Sequence, residues 1–281
     1  MKRDGFDMPA DGARIAPVVR WRDGRRSAVD DWLTEEVPVA FEFNGVSHAV
    51  MLATPADLED FALGFGLSEG IFASEADLYG CEINSSAQGI TVSMEVSARS
   101  FAGLKARRRT LAGRTGCGVC GAESLDQALR AVPAVPAGTP VRAHAIARAM
   151  HEMRERQRLN QATGAVHAAA WCSADGAVRW LREDVGRHNA LDKLIGALAG
   201  ARIDTAAGFV AVTSRASVEM VQKAAVAGAP LLAAVSAPTL LAVETAHAAG
   251  MSLVGLVRRN DLVIYAHAER VVLAEELNHE Q

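Results

Sequence analysis

Residues 208–258 decide the fold: GFVAVTSRASVEMVQKAAVAGAPLLAAVSAPTLLAVETAHAAGMSLVGLVR. Three short apolar runs, GFVAVTS, PLLAAVS and SLVGLVR, alternate with two segments at helical spacing that begin near Ser217 and Pro238. Strands that read as continuous apolar runs and alternate with helices form a sheet buried on both faces. Working outward, VIYAH is a further strand beyond a polar turn. Upstream lie a helix over 187–198, a hairpin made of VHAAAWC, the turn SADG and VRWLRED, and a long helix over 141–160. The fold class is α/β, with a C-terminal α/β sandwich over 139–281.

The stretch AVPAVPAGTP, rich in Ala, Pro and Gly, marks a boundary. Before it, a smaller N-terminal α+β domain covers 15–138, behind a flexible tail at 1–14. Its strands are APVVRW, EVPVAFEFNG and VSHAVML, with Asn44-Gly45 as a hairpin turn, followed by YGCEINSS and GITVSMEV around Gln88-Gly89. PADLEDFALGFGLSEGIF is a helix opened by Thr54 with Pro55 in its first turn. Near the end, Ser124 and Gln127 form a capping-box pattern ahead of a helix from about Leu125.

With 281 residues, 50% hydrophobic and 22% charged, and a net charge of −4, the chain reads as a soluble globular protein with no bulk charge for nucleic acid. No stretch has the uninterrupted length of a membrane span, and the opening MKRDGFDMPADG lacks the apolar core of a signal peptide. Four cysteines, at 81, 117, 120 and 172, are too few and too unevenly spaced for a disulfide framework and fit a reducing cytoplasm.

Two of them stand in residues 113–121, GRTGCGVCG, after a run containing Lys105, Arg107, Arg108, Arg109 and Arg114. Positive surroundings lower a thiol's pKa, and the thiolate is the nucleophile. Cys117 and Cys120 admit several readings. A structural zinc site needs two further ligands brought from a distance; a thioredoxin-like site needs a preceding strand that the basic run does not supply. A persulfide carrier needs one cysteine to hold sulfur and a second to protect or release it. Two buried structural cysteines fit poorly in a loop with four glycines.

A second constellation lies where strands give way to helices. Gly186, Arg187, His188 and Asn189 open one helix; Thr213, Ser214, Arg215 and Ser217 open the next; Ser236 and Thr239 repeat the arrangement. Any one of these is an ordinary capped helix, but three along one sheet favour a phosphate-bearing ligand at its carboxyl edge. None of these three turns carries a GxGxxG or a Walker sequence. His188 is a candidate general acid or ligand partner. Asp192 and Lys193 are expected on a solvated or ion-paired helix face, and Trp171 and Trp180 in the core or at an interface rather than as a base-stacking platform. His267 and Glu269 spell the HxE fragment of zinc deaminases, but no PCxxC follows.

Taken together, GRTGCGVCG, REDVGRHNALDKLIG, TSRASVEMVQKAA, AVSAPTLLAVETA and LVGLVRRNDLVIYAH resemble the FdhD family over residues 15–268. The resemblance implies a cytoplasmic homodimer with a cytidine-deaminase-like C-terminal domain that lacks the zinc site. It implies a sulfurtransferase that accepts persulfide sulfur from a cysteine desulfurase and passes it to the molybdenum or tungsten bis(molybdopterin guanine dinucleotide) cofactor, for the formate dehydrogenase catalytic subunit. By motif match the persulfide cysteine falls on Cys117, with Cys120 as companion. The cofactor-binding segment falls on Leu256, Val257, Arg258, Arg259, Asn260 and Asp261. Leu256 replaces a common aromatic, and Leu240 a common small polar residue. The rival functions are a non-catalytic cofactor-binding chaperone and a structural zinc protein.

Overall fold

The computed structural model describes residues 12–112, 132–259 and 261–273. Strand alternation in its first part pairs β1 (Ala13–Arg22) with β2 (Arg25–Thr34) as a long hairpin. The turn residues Asp23 and Gly24 both have positive φ, 50° and 77°, the turn geometry that Asp-Gly favours. Here the sequence signalled a single strand, because RRSAVDDWLT is too charged to read as one, and β1 starts at Ala13, inside the expected tail. Next come β3 (Val37–Phe43), β4 (Val46–Ala53), α1 (Leu58–Ser68), β5 (Leu78–Ser86), β6 (Gly89–Val96) and α2 (Ala98–Ala112). The four strands form a sheet of order β4-β3-β6-β5 with β3 and β6 parallel. One face carries Val39, Phe41, Phe43, Val92 and Met94 against Phe61, Ala62 and Phe65 of α1, closed by Leu104 of α2. Two expectations change. The first helix starts at Leu58 behind Asp57 rather than at Pro55, and the basic run is the continuation of α2, where charge masks the apolar positions Phe101 and Leu104.

Residues 132–140 have no regular element, as their composition predicts. Beyond them, β7 (Val141–Arg142) leads to α3 (Ala143–Arg156) and α4 (Arg158–Thr163). The expected single helix breaks at Gln157 because the Glu183 carboxylate accepts from the backbone N–H groups of Leu159 (3.0 Å) and Asn160 (2.9 Å), which otherwise would bond back along a continuous helix. The rest follows the alternation read from the sequence: β8 (His167–Ser173), β9 (Val178–Asp184), α5 (Arg187–Gly200), β10 (Gly208–Val212), α6 (Val218–Val226), β11 (Leu231–Ala234), α7 (Leu240–Ala249), β12 (Ser252–Arg258) and β13 (Asp261–Ala266). The six strands order as β13-β12-β11-β10-β8-β9. On one face Leu191, Leu194, Met220 and Val221 of α5 and α6 meet Val210, Val212, Leu232 and Leu253. On the other, Ile146, Met150 and Met153 of α3 meet Phe209, Ala211, Leu231 and Val254. A last short strand, β14 (Val271–Val272), pairs with β7. Arg270 just before it donates to the carbonyls of Ala137, Pro230 and Gly250, so the linker and two strand entries are held by one guanidinium.

The two sheets are joined through α1 and α5. Gly64 and Gly196 face each other: a Cβ at 64 would lie 1.7 Å from the Asp192 carbonyl oxygen, and one at 196 would lie 1.9 Å from that of Asp60. Around this contact Asp192 and Lys193 are buried and ion-paired, which replaces the solvated alternative. Lys193 Nζ reaches Asp184 Oδ2 (2.7 Å) and the Thr54 carbonyl (2.9 Å). Lys223 Nζ reaches both oxygens of Asp192, Ser68 Oγ and Glu69 Oε1, each at 2.9 Å. Gly64→Ala is expected to lower the urea midpoint by the equivalent of about 2–3 kcal/mol, because backbone rather than a movable side chain occupies the space. Gly103→Ala, with open space around it, is expected to leave the midpoint unchanged or raise it; equal midpoints for the two variants would contradict the close helix contact.

Candidate functional site

Strand direction builds the site. Since β8 runs antiparallel to both β9 and β10, and β10, β11 and β12 are parallel, four strands deliver their carboxyl ends to one edge. The helices that leave that edge begin behind Gly186, Ser217 and Thr239. Their first-turn N–H groups and dipoles favour anions. The connecting loops are laced together: Thr239 N donates to the Ala216 carbonyl (3.1 Å) and Leu256 N to the Ser236 carbonyl (3.3 Å). Pairing of β12 with β11 ends at Val254, while β12 runs on to Arg258 opposite Asp261 of β13. The segment from Leu256 to Arg259 therefore overhangs the edge, with left-handed φ of 53° at Leu256 and 52° at Arg259. A Cβ at Gly255 would lie 3.0 Å from the Ser236 carbonyl oxygen, so the two loops approach closely there.

Each expected residue can now be placed. Arg187 and His188 lie half-buried in the first turn of α5, and Arg187 Nε is shielded from solvent without a hydrogen-bond partner among the described residues. His188 Nε2 is 3.2 Å from Glu219 Oε2, which also accepts from the Ser217 hydroxyl at 3.0 Å. Burial, with help from the Arg187 guanidinium, holds the His188 pKa below the ordinary histidine range against the pull of Glu219. His167, at the start of β8, is lowered for the same two reasons. Sequence reasoning missed His167 and Glu219, since only the sheet register and the α6 start bring them beside α5.

Asn189 leaves the candidate set. Its side chain is buried and donates to the Leu52 carbonyl and to Asp184 Oδ1, both at 2.9 Å, so it joins the two sheets rather than facing a ligand. Val257 is also buried, packed in the core, and only its backbone is at the edge. Ser214 is buried with its hydroxyl on the Arg215 carbonyl (2.9 Å), whereas Arg215 itself is exposed. Thr239 caps α7 by accepting from Ala242 N (3.3 Å), and Ser236 beside it is half-buried. Arg258, Arg259 and Asp261 are exposed on the overhang, with Leu256 half-buried. Leu240 is 75% exposed at the start of α7. Asn260, Cys117 and Cys120, and the helix expected from Leu125, lie outside the described residues.

Two cysteines, Cys81 and Cys172, lie among the described residues. Burial pushes Cys81 up to about 11 and raises Cys172 further, so neither is a thiolate near neutrality. His267 Nδ1 sits 2.9 Å from Glu269 Oε1, so the HxE fragment closes on itself, and no group of three or more His, Cys, Asp or Glu poised for a metal occurs among the described residues. Among those residues, too, no helix is long and apolar enough to cross a membrane. The chain returns from the thiol segment at the far end of the sheet: Val132 and Val135 pack on the core, and Val135 N donates to the carbonyl of Ala249 at the end of α7 (2.9 Å).

Comparison with known proteins places this arrangement. The model of the FdhD/NarQ family matches residues 34–272. The sulfur carrier protein FdhD of Variovorax paradoxus is 59% identical over 241 residues, covering 86% of this chain and 87% of that protein. That of Cupriavidus necator is 56% identical over 254 residues, covering 90% and 88%. A crystal structure of a candidate formate dehydrogenase accessory protein from Desulfotalea psychrophila shares the fold, with a TM-score of 0.73 and 24% identity over 93% of this chain and 100% of that one. A family model that matches most of the chain, and relatives above half identity over more than four-fifths of it, lead to one conclusion: the chain belongs to the FdhD/NarQ family.

Proposed function

We propose that this chain is a sulfur carrier that loads persulfide sulfur on Cys117 and delivers it to the bis(molybdopterin guanine dinucleotide) cofactor of molybdenum or tungsten, its substrate, for formate dehydrogenase. The observation that carries the reading is the convergence, on one sheet edge, of three helix N-termini, Arg187, Arg215 and the Arg258–Arg259 overhang. Such an edge suits the phosphates and guanine of a dinucleotide. The relatives' description as sulfur carriers agrees with it. A cytidine-deaminase-like ancestry of the C-terminal sheet and a cytoplasmic setting belong to the same reading.

In this mechanism the Cys117 thiolate attacks the outer sulfur of a persulfide on a cysteine desulfurase. The S–S bond of that persulfide breaks, and the desulfurase cysteine leaves as a thiolate. Cofactor phosphates take the first-turn N–H groups of α5, α6 and α7 and the unpartnered Nε of Arg187. Arg258 and Arg259 orient the guanine end. Cys120 acts on a persulfide left unused: its thiolate attacks the inner sulfur, forms a disulfide with Cys117 and releases hydrosulfide. His188, neutral before binding, becomes a hydrogen-bond donor to a phosphate, and Glu219 supports its protonated form.

Incubation with desulfurase and cysteine is expected to add the mass of one sulfur to the peptide carrying Cys117, and Cys117→Ala to abolish the gain with nucleotide binding unchanged. Full labelling of that variant would overturn the assignment; an unlabelled wild type that still binds nucleotide would make the protein a delivery chaperone. Changing Arg258 and Arg259 together to Ala is expected to weaken GDP binding in calorimetry by at least about 10-fold, since a hydrogen bond to a charged group is worth roughly 1.5–3 kcal/mol. Unchanged affinity would remove the overhang from the site. Because an anion raises a depressed histidine pKa, GDP affinity is expected to rise as pH falls from neutrality through the His188 titration, and to lose that dependence in His188→Asn. An identical pH profile in wild type and variant would contradict the role of His188.

A further inference from the structure

We infer that Lys223 is a positioning residue of the ligand edge: its ammonium group, one helical turn below Glu219, governs the charge that His188 carries before a phosphate arrives. The inference rests on the reading of that edge as a phosphate site. His188 and Asp192 stand four residues apart on α5, and Glu219 and Lys223 four apart on α6, so each pair lies on one helix face. Across the helix contact the two pairs meet as rungs. His188 Nε2 is 3.2 Å from Glu219 Oε2, and Lys223 Nζ is 2.9 Å from both Asp192 oxygens. The outer rung reaches solvent, with the Glu219 side chain 54% exposed, whereas the inner one is closed, with Lys223 8% and Asp192 1% exposed.

A carboxylate this close to an imidazole ordinarily favours the imidazolium. At His188, burial and Arg187, with a smaller share from Lys223, outweigh Glu219, so the ring is neutral before binding. On the other elements packed against α5, Asp184 of β9 is taken up by Lys193, and His167 of β8 is held below the ordinary range by burial and Arg187. Glu69, just past α1, is bound to Lys223 itself. The inner rung is therefore a fixed positive charge set one turn behind a titrating rung. Its supports come from the N-terminal sheet's helix: Ser68 Oγ and Glu69 Oε1 each lie 2.9 Å from Lys223 Nζ, and Ser68 Oγ donates to Asp192 Oδ1 at 2.6 Å. The end of α1 thereby bears on the charge state of the ligand edge.

Imidazole NMR of the full chain reads the His188 titration without ligand, and calorimetry with GDP reads the pH profile of binding. Lys223→Met is expected to lower the urea midpoint, because Asp192 is left buried and unpaired. Adding Asp192→Asn is expected to restore most of that loss. In this double variant His188 is expected to titrate higher by roughly half a pH unit, since the positive charge that acts on it is gone, and the GDP profile to move up with it. Glu69→Gln keeps the buried pair but leaves more of the Lys223 charge uncompensated. It is expected to move the His188 titration down, which keeps the test sound if the double variant misfolds. A titration that stays at the wild-type midpoint in the folded double variant, or in Glu69→Gln, would overturn the inference and leave Lys223 a structural support alone. Failure of wild type to bind GDP would count against the phosphate reading instead, and the ligand-free titration still decides the role of Lys223.

Discussion

Two buried ammonium groups hold this molecule in one piece. Lys193 and Lys223 project from neighbouring helices into the space beside α1, and each ends on groups from both sheets' territory: Lys193 on Thr54 and Asp184, Lys223 on Ser68, Glu69 and Asp192. Burial alone would discharge Lys223, but the facing carboxylates of Asp192 and Glu69 more than offset it and raise its pKa. Removing one partner of such a pair leaves a buried charge uncompensated, at about 3–5 kcal/mol. Between the two nodes, Gly64 and Gly196 let α1 and α5 touch backbone to backbone. The N-terminal sheet is thereby fixed to the element that opens the anion edge.

That fixing has a functional consequence. Asp184, the carboxylate paired with Lys193, also accepts from Gly186 N (2.8 Å) and from the Asn189 amide (2.9 Å). One buried group thus sets the turn from β9 into α5 and with it the position of Arg187 and His188. Leu52 and Thr54, at the end of β4, are bonded to the same cluster. The N-terminal sheet and the helix that opens the proposed ligand edge therefore share a hydrogen-bonded support. The Pro- and Ala-rich residues 132–140 are held as well, through Arg270 and through Ala249.

Much of this was legible in the chain, and the failures have physical causes. Buried parallel strands announce themselves by uniform apolarity, so GFVAVTS, PLLAAVS and SLVGLVR were placed within a few residues, and the helix starts that define the anion edge followed from them. What escaped was decided by partners distant in sequence. Asn189 looked like a ligand group because its helix-start position is visible, whereas its bonds to Leu52 and Asp184 are not. Thr54 looked like a helix opener, yet it is fully buried and bonded to Val185 N and Lys193. Asp192 and Lys193 gave no sign of burial, since one sequence cannot show that Lys223 and Asp184 complete them. The hairpin strand β2 was missed because its polar face dominates its composition.

The central claim is that sulfur held on Cys117 goes to a cofactor held at the carboxyl edge by Arg258 and Arg259. The most direct test is a single turnover with chain loaded with radiolabelled persulfide, mixed with sulfur-free cofactor and followed by separating protein from cofactor. The account predicts that label leaves wild type and appears on the cofactor, while a chain with both arginines changed to Ala loads fully and retains its label. Equal transfer by the two proteins, or release of the label only as free sulfide, would contradict it.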